Sequence, residues 1–338
     1  MVMMSLKTIP RGNDALPLAS VAVCSRDRVH YLDRCLSAIE QLTYPRLDVL
    51  VIDNAPGTAA AERLVRDKFT RVRYIVEPRP GLDWARNRAI AEAHGEIIAF
   101  TDDDVVVEPG WIDAIVHVFV EDRQIMAVTG LVTPYELETE AQILFERYGG
   151  FGKGQKRKSY PAQRAANRSK WSHLAAGDMG TGANMAFRRS LFDHIGGFDP
   201  ALDTGTATTG GGDLEIFFRT VEKGYRLVYE PAAKVRHIHR RDYRQLKSQI
   251  RSWGIAFTAY LTRSIMAFPA SGPRITVFAF RWLIGRHLMR FLRHTNGPER
   301  LPPDLMLTEM AGSLAGPLAY FKARRDARKI ESDFGDIN

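Results

Sequence analysis

Read from the N-terminus, the apolar residues fall first into compact runs and then into spaced rows. The run "LASVAVCS" predicts a buried strand, and the following "VHYLDRCLSAIEQL" places its apolar residues at helical intervals. The same alternation continues through the strands "LDVLVIDN", "VRYIVE", "EIIAF" and "IMAVTG". Between them lie the helices "AAAERLVRDKF", "DWARNRAIAEAHG" and "GWIDAIVHVFVED". A strand-helix-strand rhythm predicts parallel strands joined by helical crossovers.

The rhythm breaks between "GGFGKGQKRKSYPAQRAANRSKW" and "GDMGTGANMAF", where no long periodic element is visible and a loop that orders around a ligand is expected. Order returns with "RRSLFDHIGGFD", the glycine cluster "DTGTATTGGGD", the helix "LEIFFRTVEKG" and the strand "YRLVYEP". From about Val235 the chain turns to helices that mix aromatic and basic residues, such as "YRQLKSQIRSWGIAFTAYLTRSI" and "PLAYFKARRDARKI". The expected organisation is an N-terminal extension at 1–18, an α/β domain at 19–240 and a helical region at 241–338.

Composition narrows this picture modestly. A chain of 338 residues, 45% hydrophobic and 25% charged, has room for a sizeable soluble core. Two cysteines, Cys24 and Cys35, cannot form a disulfide framework and belong to no paired metal motif, which fits a reducing interior. With neither a signal-peptide core nor a membrane-length apolar run, the expected location is the cytoplasm. The net charge of +8 favours an anionic partner: nucleic acid, a membrane surface or a phosphorylated substrate.

One stretch carries the chemistry. In "EIIAFTDDDVVVEP", Asp102, Asp103 and Asp104 directly follow an apolar strand, and open parallel sheets bind ligands at the carboxyl ends of their strands. A solvated turn is the plain alternative. Adjacent carboxylates raise one another's pKa unless a cation or donor compensates. On an extended backbone Asp102 and Asp104 point the same way, so they are placed to share Mg²⁺ or Mn²⁺, cations that complete their shells with phosphate oxygens and water. The implied substrate carries a diphosphate. A calcium loop is a poor alternative because its sixth position lacks the glycine needed for the sharp turn.

Taken together, "CSRDRVHYLDRCLSAI", "VLVIDN", "PRPGLDWARNRAIAEAHGEIIAFTDDDVVVEPGWI" and "GTGANMAFRRSLFDHIGGFD" resemble the family 2 nucleotide-sugar glycosyltransferases over about Val21 to Arg240. The resemblance implies the GT-A fold, with a mostly parallel central sheet and a helical C-terminal extension. It implies inverting transfer from a nucleoside diphosphate sugar, UDP-sugar foremost, to a hydroxyl acceptor such as a lipid-linked glycan in polysaccharide, glycolipid or cell-envelope synthesis. Asp102, Asp103 and Asp104 then take the place of the family's metal and diphosphate motif. Ser25 to Arg28 resemble the nucleotide pocket, Asp53 stands where the family's acid meets base or ribose, and Gly81, Arg86 and Asn87 match its GxxxARN motif.

The segment "GGGDLEIFFR" resembles the family's "GEDxDLxxR", which puts Asp213 in the place of the base and Glu215 in that of the following acid. One departure is that the family's glutamate before the base is Gly212 here; a slipped alignment would make Glu215 the base. An N-capping role suits Asp213 as well. His237 and His239 share a face if extended; His237 matches a histidine that completes the metal shell in some relatives, and a surface basic cluster is the other reading. Gly180 and Gly182 permit close backbone approach to a sugar or serve a turn. Trp171 stacks on a sugar ring or packs internally.

Two rival functions compete with this one. "DDDVV" also fits a haloacid dehalogenase-type phosphohydrolase, but that chemistry belongs on a domain's first strand. A nucleic-acid-binding protein would use "GKGQKRK" and "RHIHRRDYR", yet no recognised module is present, and no nucleic acid is expected. The C-terminal helices read either as packed on the core or as a peripheral contact with the cytoplasmic face of an anionic membrane.

Overall fold

A computed structural model describes residues 16–160, 174–294 and 301–335. Trp171, most of the N-terminal extension and the middle of the glycine-rich segment lie outside them. Three apolar runs form the parallel strands β1 (Ala19–Ser25), β2 (Leu47–Asn54) and β3 (Val72–Glu77). Helices α1 (Val29–Ile39), α2 (Ala60–Lys68) and α3 (Leu82–Glu92) connect them to one another and to β4 (Ile97–Asp102). β1 is buried along its whole length because both faces of the sheet are covered, which is why its run barely alternates.

The chain continues through β5 (Val105–Val107), α4 (Trp111–Glu121), β6 (Ile125–Pro134), α5 (Glu140–Tyr148), β7 (Lys158–Tyr160), β8 (Met185–Arg188), α6 (Leu191–Ile195), α7 (Gly212–Glu222) and β9 (Arg226–His237). Strand order is β3-β2-β1-β4-β8-β6-β9-β5, with β7 beside β9. From β3 to β4 every pairing is parallel; β8 then runs antiparallel to both β4 and β6, so the sheet is mixed in its second half. The chain leaves β1 toward β2 and β3 and comes back on β1's other side as β4. That reversal is a topological switch point, where open sheets bind ligands. Register sets Ser25 beside Asp53 and Cys24 beside Asp102, so the three strand ends make one rim.

One sheet face packs on α1, α2 and α4 through Val23, Leu36, Val51, Trp111 and Ile115, and the other on α3, α6 and α7 through Leu50, Ile52, Phe100, Phe187 and Phe217. The C-terminal helices α8 (Tyr243–Ala267), α9 (Gly272–His294) and α10 (Pro303–Phe334) pack onto this body. Tyr260, Phe257 and Tyr320 join Phe218 of α7 and Leu202 in a third cluster. The packed reading of these helices therefore holds for their inner faces.

The start of α3 is held from far along the chain. Asp203 accepts hydrogen bonds from the backbone N–H groups of Leu82 (2.7 Å) and Asp83 (2.9 Å), satisfying donors that a helix N-terminus leaves open. Gly81, at φ 140°, passes so close that a Cβ there would stand 2.3 Å from Asp203 Oδ2.

Candidate functional site

The acidic triplet occupies the turn between β4 and β5. Asp103 is buried, accepting from Ser25 Oγ at 2.8 Å and from Arg28 Nη1 at 2.6 Å. Arg28 reaches Asp104 Oδ2 with its other nitrogen at 2.8 Å. This fork from one guanidinium to two carboxylates offsets much of the repulsion within the triplet. Burial still pushes Asp103 up to about 7 against the pull of Arg28, and Asp102 up to about 6 against that of Arg86. Asp103 thus braces the turn, while Asp102 and Asp104 offer the more accessible carboxylates to the cleft.

On the far side of the triplet, His237 Nε2 lies 3.4 Å from Asp104 Oδ1. Burial holds this imidazole down at about 4, so the ring is neutral. Its Nδ1 is 2.9 Å from His239 Nδ1, and His239 Nε2 is 2.9 Å from Glu146 Oε1. One arrangement meets both contacts and leaves a nitrogen for a cation: His239 Nε2–H donates to the Glu146 carboxylate, the neutral His237 donates from Nδ1–H to His239 Nδ1, and His237 Nε2 turns a lone pair toward Asp104. Two acceptors at that spacing suit neighbouring ligands on one cation, which for metal bonds of about 2.1 Å stand about 3 Å apart. Among the described residues no three His, Cys, Asp or Glu side chains close a cage, so phosphate oxygens and water would supply the rest. The donor set fits Mg²⁺ or Mn²⁺, with Asp104 and His237 as the pair.

Asp213 lies in the first turn of α7, where Oδ2 accepts from Gly182 N–H at 2.9 Å and Oδ1 from Leu214 N–H at 2.8 Å. The N-cap itself is Gly211. Glu215 is fully buried, paired with Arg219 at 2.8 Å and Arg263 at 3.2 Å, and so is sequestered from the cleft. Arg86 is buried between carboxylates, 3.0 Å from Asp83 Oδ1 and 3.9 Å from Asp102 Oδ1. A Cβ at Gly182 would meet Arg86 Nη2 at 2.7 Å, which is the reason a glycine stands there.

The departure at Gly212 has a structural counterpart. A Cβ on Gly212 would fall 2.0 Å from Asp83 Oδ2, so Asp83 occupies the room beside it. Its carboxyl is raised well above the ordinary range by burial, against the pull of Arg86, and Oδ2 is buried without a hydrogen-bond partner. Asp83 escaped the reading of the sequence although it lies within "GLDWARN"; only the tertiary contact reveals it.

These groups surround two adjoining compartments. The larger, about 780 Å³, is lined by Ser25, Arg28, Asn54, Gly81, His237 and the triplet. The smaller, about 490 Å³, is lined by Arg86, Gly180, Gly182, Asp213, Trp253 and Phe257. Asp102 belongs to the wall of both. Asp53 sits behind the rim, accepting from Tyr74 O–H at 2.6 Å, and Asn54 lines the cleft in its stead. Asn87 does not reach it either: it braces the 196–198 turn through Phe198. The larger compartment is closed by Gln245, Ser248, Gln249 and Ser252 of α8 and by Lys322 and Asp326 of α10. The signal for α8 was present as uncharged polar residues at helical spacing.

Solved structures share the fold. A mannosyltransferase, PcManGT from Pyrobaculum calidifontis in complex with GDP-Man and Mn²⁺, matches with a TM-score of 0.51 at 17% identity, covering 96% of this chain and 78% of its own. GalNAc-T7 with UDP, GalNAc and Mn²⁺ matches at 0.50 and 19%, over 74% of this chain and 51% of its own. The fold is that of the GT-A glycosyltransferases. Residues 20–196 match the profile of glycosyl transferase family 2, and the chain belongs to that family. Among relatives, the glucosyl-dolichyl phosphate glucuronosyltransferase of Haloferax volcanii is 24% identical over 230 residues, 64% of this chain and 68% of the relative. Glycosyltransferase AglE of the same organism is 25% identical over 250 residues, 70% of this chain and 75% of its own. The protein is a glycosyltransferase.

Proposed function

We propose that the protein transfers a sugar, with inversion, from a nucleoside diphosphate donor in the larger compartment to an acceptor hydroxyl in the smaller one. The observation that carries this is the placement of Asp102 on their shared wall, with Asp104 and His237 on one side and Arg86 and Asp213 on the other. The nucleotide lies against Ser25, Arg28, Asn54 and Gly81, and a UDP-sugar is the expected donor. Asp104 and His237 would hold Mn²⁺ or Mg²⁺, with Asp102 on the shared wall beside them rather than in a three-residue cage, and the ion when bound supplies Lewis-acid charge neutralisation to the diphosphate.

Asp213 Oδ2 takes the acceptor hydroxyl proton as the acceptor oxygen bonds to the anomeric carbon, and the bond from that carbon to the diphosphate oxygen breaks. The Gly182 N–H orients the carboxylate for this task. Arg86 places positive charge beside Asp102 and Asp213, where negative charge shifts during transfer. The GT-A unit is read as residues 19–240, with α8 to α10 closing the cleft. A lipid-linked glycan is the acceptor class we favour, in keeping with the dolichyl phosphate named for one relative.

Asp213→Asn tests the reading. Donor binding is expected to stay within a few-fold while transfer falls by at least about 10²-fold. Turnover that survives intact removes Asp213 from the base role.

A further inference from the structure

α10 carries a row that the core does not use. Leu307, Met310, Leu314, Leu318 and Phe321 follow one another at intervals of three and four residues, the spacing of a single helix face, and all are exposed, Leu314 at 70% and Leu318 at 77%. Between Leu305 and Phe321 the one charged side chain, Glu309, is buried. A second exposed row on α9, Val277, Phe280 and Ile284, repeats the spacing. Apolar surface this continuous marks a site of interaction.

Beyond Phe321 the same face changes character. The next positions in register are Arg325, Arg328 and Lys329, all exposed, while the nearby acids Asp326, Glu331 and Asp333 fall on other sides of the helix. One helix face is thus apolar for about four turns and then cationic. A second copy of the chain would have to accommodate that cationic end; an anionic lipid surface complements both halves. No helix among the described residues is long and apolar enough to cross a membrane, so the face suits lying on a bilayer.

We propose that α9 and α10 dock the enzyme on an anionic phospholipid bilayer, with the Leu307–Phe321 row in the acyl-headgroup boundary and Arg325, Arg328 and Lys329 against the headgroups. α10 then lies between the lipid surface and the cleft, since its Lys322, Asp326 and Ile330 line the larger compartment and Glu309 the smaller. That geometry presents the cleft to acceptors carried by the same membrane. This last step rests on the transfer reading above; the binding itself does not.

The test is flotation of the full chain with vesicles of phosphatidylcholine, alone or mixed with phosphatidylglycerol. Binding is expected to need the anionic lipid and to weaken in high salt. Arg325→Glu with Lys329→Glu is expected to weaken it by more than about 25-fold, from about fivefold per basic residue lost. Leu314→Glu with Leu318→Glu should reduce it at least as far. Thermal melting checks that these exposed substitutions leave the fold intact, and hydrolysis of the sugar nucleotide in solution should not change. Failure of the wild type to float with anionic vesicles overturns the proposal. So does a dimer, seen by light scattering, that the leucine substitutions dissolve while vesicle binding persists. Lost vesicle binding with intact donor hydrolysis, or the reverse, shows which of the two readings has failed.

Discussion

The Nδ1 atoms of His237 and His239 stand 2.9 Å apart, and His239 passes the contact on to Glu146 at 2.9 Å. The order Asp104, His237, His239, Glu146 makes the last two positioning residues for the ring that faces the triplet. Histidines that bind metals are ordinarily held by such a partner, and losing it costs about 10–100-fold in metal affinity. Glu146→Ala and His239→Ala are therefore expected to weaken Mn²⁺ binding by that factor, measured by calorimetry in the presence of UDP. Glu146→Gln, whose amide oxygen still accepts, should retain most of the affinity. Unchanged Mn²⁺ affinity in both alanine variants would exclude the relay.

Asp83 and Gly212 form a size-complementary pair, because a side chain at 212 would collide with the Asp83 carboxyl. Gly212→Glu alone is expected to destabilise by about 1–3 kcal/mol through overpacking. Asp83→Ala alone removes the 3.0 Å partner of buried Arg86 and is expected to cost about 3–5 kcal/mol. Combined, the changes restore a carboxylate near Arg86 and relieve the collision, so urea unfolding should show a favourable coupling of about 0.5–3 kcal/mol. Strict additivity would mean that the two positions do not substitute for each other.

Asp203 supplies a pH signature. Burial pushes its carboxyl up to about 6, against the backbone N–H groups of Asp83 and Leu82 and the charge of Arg86. The folded chain then holds this proton more tightly than the unfolded chain, whose aspartates titrate near about 3.9. Below that value the two states are equally protonated. As pH rises from about 4 to about 6 the folded state gives up its advantage, so this group's contribution to stability falls by about 2 kcal/mol. Asp203→Asn removes the effect. The stability of the wild type relative to the variant should decline across that window in denaturant titrations, and a rising or flat difference would refute the assignment.

Much of this was legible in the chain. β1 to β4 and their helices could be read because both faces of a parallel sheet are buried and each connecting helix shows an apolar row. The triplet could be placed at a strand end for the same reason. α5 was missed because nine residues running into a glycine-rich stretch give little periodicity; the Thr139 and Gln142 capping box that starts it was the available clue. β8 was missed because four residues of an antiparallel strand look like loop. The retreat of Asp53 behind Asn54 and the burial of Glu215 depend on which face of an element meets which neighbour. That information lies between segments. The polar row of α8 could be seen, but nothing local says that it faces a cleft built by residues two hundred positions earlier.

The bond from Asp203 to the start of α3 joins groups 121 and 120 positions apart. Arg86 stands on the helix that this contact begins, so the arginine of the site and the 199–203 turn are linked across that span. Contacts of such sequence separation carry a high loop-closure cost, so this link is expected to form later than the local contacts of β1 to β4. The amides of Leu82 and Asp83 are the place where that link is recorded, and their exchange with solvent reports whether the start of α3 and the 199–203 turn are joined.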